Sequence, residues 1–198
     1  MRYVGIGGTL RQNSSSEALL RLCLSSLERY GHQVEVFAGP QICLPMYDPQ
    51  SPERSPEARA MIKAVRQADG IILASPGYHG GVSGLVKNAI DYIEDTGNDQ
   101  RPYFDGMPVG CISAAFGQQA AVSTLGSLRG IAHALRGWPT PYGAAVNTQV
   151  WRDPEGNATA EVAGQIRRVA AQMVSFGSAI DTAVYGGDHH DNQQNQTA

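Results

Sequence analysis

Gly7-Gly8-Thr9-Leu10-Arg11-Gln12-Asn13-Ser14-Ser15-Ser16 is the stretch that decides how this chain is read. An apolar run, Tyr3-Val4-Gly5-Ile6, precedes it and reads as a buried first strand. Ala18 to Leu27 follows, with apolar residues at 20, 23, 24 and 27, the spacing of one helix face. A loop rich in glycine and hydroxyls, with one arginine, therefore joins the first strand to the first helix. At such a junction the loop's N–H groups and the positive end of the helix dipole converge on an anion. Hydroxyls donate to phosphate oxygens, and the fork of Arg11 grips two of them at once. A phosphate monoester suits this chemistry. Helix capping is the plainer alternative, because Ser14-Ser15-Ser16-Glu17 holds the Ser-x-x-Glu pattern that satisfies N–H groups at a helix start. Thr9, Arg11 and two glycines directly after the strand exceed what a cap requires.

Two other nucleotide loops are excluded. The chain has no Gly-x-x-x-x-Gly-Lys-Ser/Thr, and Gly5-Ile6-Gly7-Gly8-Thr9-Leu10 lacks the third glycine of a dinucleotide fingerprint. The second strand, Val34-Glu35-Val36-Phe37, ends in Ala38-Gly39 without the acid that holds a ribose hydroxyl. A mononucleotide such as FMN fits the loop better.

Working outward, strands are expected at 2–7, 33–38, 70–75, 108–114 and 142–147, and helices at 14–30, 56–68, 83–95, 119–136 and 159–182. Ala58, Met61, Ile62 and Val65 make one apolar helix stripe, and Val162, Ile166, Val169, Ala170 and Met173 another. Alternating strands and helices with near-continuous apolar strands predict an α/β fold. We expect a flavodoxin-like, doubly wound, five-stranded parallel sheet of order 2-1-3-4-5, with helices on both faces and ligands beyond the carboxyl ends of the strands. One domain over 1–183 and a disordered polar tail over 184–198 follow, the tail's His189-His190 reading as solvated.

With 198 residues and a net charge of −3, the chain has no basic block, so nucleic acid and anionic membranes are poor partners. No apolar run approaches the ~20 residues of a membrane span, and Met1-Arg2 leads directly into a strand with no signal peptide. Cys23, Cys43 and Cys111 are scattered and read as buried, inert thiols with no metal site. A cytoplasmic location is expected.

The loops after the third and fourth strands face the same end of the sheet. Ser75-Pro76-Gly77-Tyr78-His79-Gly80-Gly81-Val82-Ser83-Gly84 combines glycines, which let backbone approach a flat ring, with two planar side chains. Ala114-Ala115-Phe116-Gly117-Gln118-Gln119 belongs on the other side of that ring, with Phe116 either a core plug or a ring contact.

These residues resemble the NAD(P)H-dependent FMN reductases of flavodoxin-like fold. Gly8-Thr9-Leu10-Arg11 with Ser14 and Ser16 is similar to the family's Gly-Ser-x-Arg loop. Ser75-Pro76-Gly77-Tyr78, then Ser83-Gly84-Leu85-Val86-Lys87-Asn88-Ala89-Ile90-Asp91, is similar to its Pro-x-Tyr … Pro-Gly-x-Leu-Lys-Asn-x-x-Asp signature, with Ser83 in place of proline. Leu44-Pro45-Met46-Tyr47-Asp48 looks like its Leu-Pro-x-Tyr/Phe loop. The likeness spans roughly residues 3–150. The run 119–136 has no tyrosine, the residue inserted there in the branch that hands reduced flavin to a monooxygenase.

The resemblance implies that Thr9, Arg11, Ser14 and Ser16 hold the FMN phosphate. Pro76, Gly77, Tyr78 and His79 line the isoalloxazine ring, with Phe116 and Gly117 opposite. It implies hydride transfer from NADPH or NADH to FMN and on to a flavin or small-molecule acceptor. The alternatives are a quinone, azo or chromate reductase with prosthetic FMN, and a flavodoxin-like electron carrier. The flavin supplies the reactivity, so no catalytic side chain is assigned. A homodimer or homotetramer is implied, with Lys87 and Asp91 in the seam; their spacing alone equally allows a solvated i,i+4 pair. The broad apolar stripe of residues 83–95 places Tyr92 and Ile93 near it. A phosphoacceptor signalling domain is disfavoured, since the strand ends carry no acidic cluster.

Overall fold

The computed structural model describes residues 1–185. The central sheet is parallel in the order β2-β1-β3-β5. Its strands are β1 (Arg2–Gly7), β2 (Gln33–Ala38), β3 (Gly70–Tyr78) and β5 (Pro108–Ala115). A two-residue strand, β4 (Gly81–Val82), returns antiparallel on the end of β3. The helices are α1 (Ser15–Arg29), α2 (Pro56–Arg66), α3 (Gly84–Asp91), α4 (Gln118–Ala134) and α5 (Ala160–Tyr185). Alternation along each strand builds two cores. Val4, Ile6, Ile71, Leu73, Val109 and Cys111 meet α2, α3 and α4. Tyr3, Ile72, Ala74, Ile112 and Ala114 meet α1 and α5 on the other face. A period of two, buried on both sides, is what a parallel sheet between helix layers demands.

The fifth sheet position differs from the single strand expected over 142–147. It is split into β6 (Trp138–Pro139), beside the start of β5, and β7 (Ala144–Asn147), beside its end. Between Pro139 and Pro141 the Thr140 N–H still donates to the Val109 carbonyl at 2.9 Å; the break follows, where the Tyr142 N–H turns to Gln172 Oε1 of α5 at 2.7 Å. Arg129 of α4 closes the break by donating to the Thr140 and Pro141 carbonyls, at 3.3 and 2.6 Å. The expected order is kept, and the described sheet has seven strands rather than five. The helix expected over 83–95 ends as α3 at Asp91 and continues as a 3₁₀ turn, Tyr92–Thr96. Helix α5 runs on to Tyr185, past the expected start of the tail, and residues 186–198, with His189-His190, lie outside the described residues.

Pro76 sits inside β3, a central strand, where proline is normally excluded. The Ala74 carbonyl accepts from the Gly8 N–H, toward β1. Alternation turns the Pro76 nitrogen to that same side, where β1 has already ended at Gly7. The missing donor therefore costs no ladder bond. The two strand ends also press together here: a Cβ on Gly7 would lie 2.1 Å from the Ala74 carbonyl oxygen. Glycine is required, and the chain then diverges to open a cleft above the sheet.

Candidate functional site

The loop leaving β1 is shaped by two left-handed residues, Gly8 at φ 96° and Asn13 at φ 56°. Between them the Thr9 hydroxyl accepts from the Arg11 N–H at 3.1 Å, a local turn that sets the direction of Arg11. Ser14 caps α1, its Oγ accepting from the Glu17 N–H at 3.3 Å. The capping alternative is thus half met: Glu17 turns to Arg21 at 2.8 Å, an i,i+4 pair. Ser16 is buried, and its Oγ lies 3.1 Å from that of Ser14. Two hydroxyls are therefore packed together at a helix start, beside an exposed Arg11 whose guanidinium makes no ion pair or hydrogen bond among the described residues.

The other end of the cleft is apolar. β3 extends three residues beyond the expected 75, because Gly77 and Tyr78 pair with Val82 and Gly81. His79 at φ 49° and Gly80 at φ 90° form the turn, as a two-residue hairpin of the primed type requires. Helix α4 holds this hairpin: Ser123 Oγ donates to the Gly80 carbonyl at 3.2 Å and Thr124 Oγ1 to that of Gly81 at 3.3 Å. Tyr78 is 51% exposed and Phe116 77%, so Phe116 is no core plug. Gly117 is the N-cap of α4 and offers no side chain to its first-turn N–H groups.

These ends meet in one cleft of about 460 Å³, a volume usual for small-molecule sites. It brings together Thr9, Arg11, Ser14, Ser16, Pro76, Gly77, Tyr78 and Phe116. His79 and Gly117 are not among its lining residues; His79 is exposed at the hairpin tip. Asn13, Ser15, Ala114, Ala115 and Thr148 also line it. Thr148 follows β7, whose carboxyl end faces the same side as those of β1, β3 and β5, so topology alone pointed to that loop. Gly77 approaches the cleft through its backbone only. A Cβ there would point at Thr124 Oγ1, 2.7 Å away, and at Ala115 and Ala120, not into the cleft.

Other expectations separate. Cys23 and Cys111 are buried, which pushes both thiols up to about 12, whereas Cys43 is exposed. Lys87 and Asp91 pair on the exposed side of α3. Tyr92 and Ile93 are buried in the chain's own core and unavailable to a partner. Among the described residues no cluster of three metal-ligating side chains occurs, and no helix is long and apolar enough to cross a membrane.

Sheet order and crossover helices define a protein of flavodoxin-like fold, with its cleft at the carboxyl ends of β1, β3 and β5. The sequence model of the NADPH-dependent FMN reductases matches residues 1–151, so the chain belongs to that family, a family of NAD(P)H-dependent flavin oxidoreductases. It is 27% identical over 185 residues to the FMN-dependent NADPH-azoreductase of Staphylococcus aureus, covering 89% of this chain and 95% of that one. It is also 27% identical over 129 residues to the NADPH azoreductase of Bacillus sp. strain OY1-2, 65% of this chain and 66% of that one. Among solved structures, FerB of Paracoccus denitrificans, a flavoenzyme NAD(P)H:(acceptor) oxidoreductase, superposes with a TM-score of 0.68 at 18% identity, covering 91% and 97% of the two chains. At that identity the structural likeness establishes the fold.

Proposed function

We propose that this chain moves a hydride from NADPH or NADH, by way of FMN held in the cleft, to a small aromatic acceptor of the azo class. One observation carries the reading. A single cleft joins an end of packed hydroxyls and a free guanidinium to an end of exposed aromatics and exposed strand backbone. A phosphorylated flat ring matches that polarity. Arg11, Thr9, Ser14 and Ser16 would hold the phosphate by charge-assisted and hydroxyl hydrogen bonds. Pro76, Gly77 and Tyr78 would support one side of the ring, with Ala115 and Phe116 on the other. FMN supplies the hydride chemistry. This chain's task is to bind, orient and polarise. The uncapped N-terminus of α4 at Gly117, next to the lining residue Phe116, would add positive potential to a ring held in the cleft. The exposed Phe116 and Tyr78 leave a flat apolar rim on which nicotinamide and acceptor can stack in turn.

The names of the relatives favour an azo acceptor and a retained flavin over release of reduced flavin. A cytoplasmic homodimer is part of the proposal and rests on the family resemblance; the Lys87–Asp91 face of α3 is exposed and open to a partner. The experiment is NADPH consumption by the purified protein, with and without added FMN, followed by azo-dye decolourisation. Yellow protein that consumes NADPH only with dye present supports the proposal. Consumption that depends on added FMN and ignores the dye indicates a reductase of free flavin. No consumption with bound flavin indicates an electron carrier.

A further inference from the structure

A second cleft, of about 510 Å³, adjoins the first. The two share Thr9, Arg11, Asn13 and Ser14, all from the phosphate loop, and none of the ring-end residues. Arg11, Arg21 and Arg152 line this outer cleft against one carboxylate, Glu17. Glu17 is engaged by Arg21. Arg152 makes no ion pair among the described residues, and its guanidinium lies 4.2 Å over the Trp151 ring.

Arg152 is held in place. Trp151 is buried and anchors the segment between β7 and α5. Its carbonyl accepts from the Thr159 N–H at 2.9 Å, and the Asp153 N–H donates to the Asn157 carbonyl at 2.9 Å. Asp153 Oδ1 accepts from the Asn157 N–H at 2.8 Å. A guanidinium stacked by its face on an aromatic ring keeps its donor edge free, the arrangement that suits a phosphate. Two unpaired arginines thus border one concavity, one of them shared with the flavin phosphate site.

We infer that the outer cleft is a second phosphate subsite, in which Arg152 and Arg11 hold a phosphate lying next to that of the flavin. The inference rests on the flavin reading above. Its occupant lies against the flavin's phosphate end, because the clefts share only phosphate-loop residues. Two sources carry such a group: the second phosphate of a flavin dinucleotide, and the adenosine-side phosphates of a nicotinamide dinucleotide.

The test uses the full chain stripped of flavin, as wild type, Arg152→Ala and Arg152→Lys. FMN and FAD are titrated by flavin fluorescence, and KM is measured for NADPH and NADH after reloading with FMN. In Arg152→Ala, FMN affinity holds within about twofold, while FAD affinity or NADPH KM worsens by about tenfold. Arg152→Lys recovers part of the loss, since the charge returns without the fork. A loss confined to FAD assigns the subsite to the flavin dinucleotide. A loss confined to NADPH, with NADH spared, assigns it to the ribose phosphate. Equal weakening of FMN and FAD, or wild-type binding of every ligand, overturns the inference while the flavin site stands. Failure of the wild type to bind FMN overturns both.

Discussion

Two arginine-lined concavities of similar size, about 590 and 510 Å³, use their guanidinium groups in opposite ways. Around Arg54 every fork is engaged by the protein itself. Arg54 donates to Asp95 through Nε and Nη2, at 2.6 and 2.9 Å, and stacks over Tyr47 and Tyr92 at 5.0 and 5.5 Å. Arg66 grips Asp99 at 2.7 Å, and Arg59 donates to the Arg54 carbonyl. Beside the phosphate loop Arg21 takes Glu17, and Arg11 and Arg152 have no carboxylate partner among the described residues. Composition alone would rank the two regions equal. Unsatisfied donors distinguish them: a guanidinium already paired has little left for a ligand, and one without a partner in a concave site is held ready.

The comparison predicts opposite effects for mutations on the two sides. Arg54→Ala strands a half-buried Asp95 and exposes two tyrosine faces, so it should cost about 2–3 kcal/mol, or roughly 4–12 °C in Tm, without changing FMN affinity. Thermal melts with and without FMN check both halves. Asp95 gives the same contrast a pH dependence. The hydrogen bonds from Arg54 hold its carboxyl below the usual carboxylate range. That stability is fully present above the unfolded carboxyl pKa of about 3.9 and is lost as pH falls through the lower folded value. Urea titrations between neutral and acid pH should show this slope, and Asp95→Asn should flatten it. Arg66→Ala should be the mildest, within about 1 kcal/mol, because both partners of its pair are substantially exposed.

Legibility followed the same division. Strand and helix positions were readable because the apolar periods of β1, β3, β5, α2 and α5 are unbroken. The split of the fifth strand was hidden, because it turns on the Tyr142 N–H bonding Gln172, a residue of the last helix far along the chain. Three site segments were readable from residue type and position: Thr9, Arg11, Ser14, Ser16, Pro76, Tyr78 and Phe116 all line the cleft. His79 was misplaced because sequence proximity to Tyr78 hides the hairpin reversal that carries it to the tip. Gly77 was read as a close approach to the ring; the close approach its missing side chain allows here is to α4. Gly77→Val therefore presses on Thr124 and lowers stability before it disturbs a ring. Thr148 and Arg152 were missed for a shared reason. Neither residue type marks a site by itself; the available signal was the sheet order, which sets the loop after β7 at the same end as the phosphate loop.

The phosphate site stands or falls with Arg11. FMN and riboflavin, which differ only in the phosphate, are titrated against wild type and Arg11→Ala, with a thermal melt of each protein. An exposed, unpaired arginine that grips phosphate should lose about 1.5–3 kcal/mol of FMN affinity, leave riboflavin binding as it was, and leave unliganded stability within about 0.5 kcal/mol. Equal loss of both flavins, or a melt lowered as far as that of Arg54→Ala, would contradict the account and make Arg11 a structural arginine like its counterparts across the sheet.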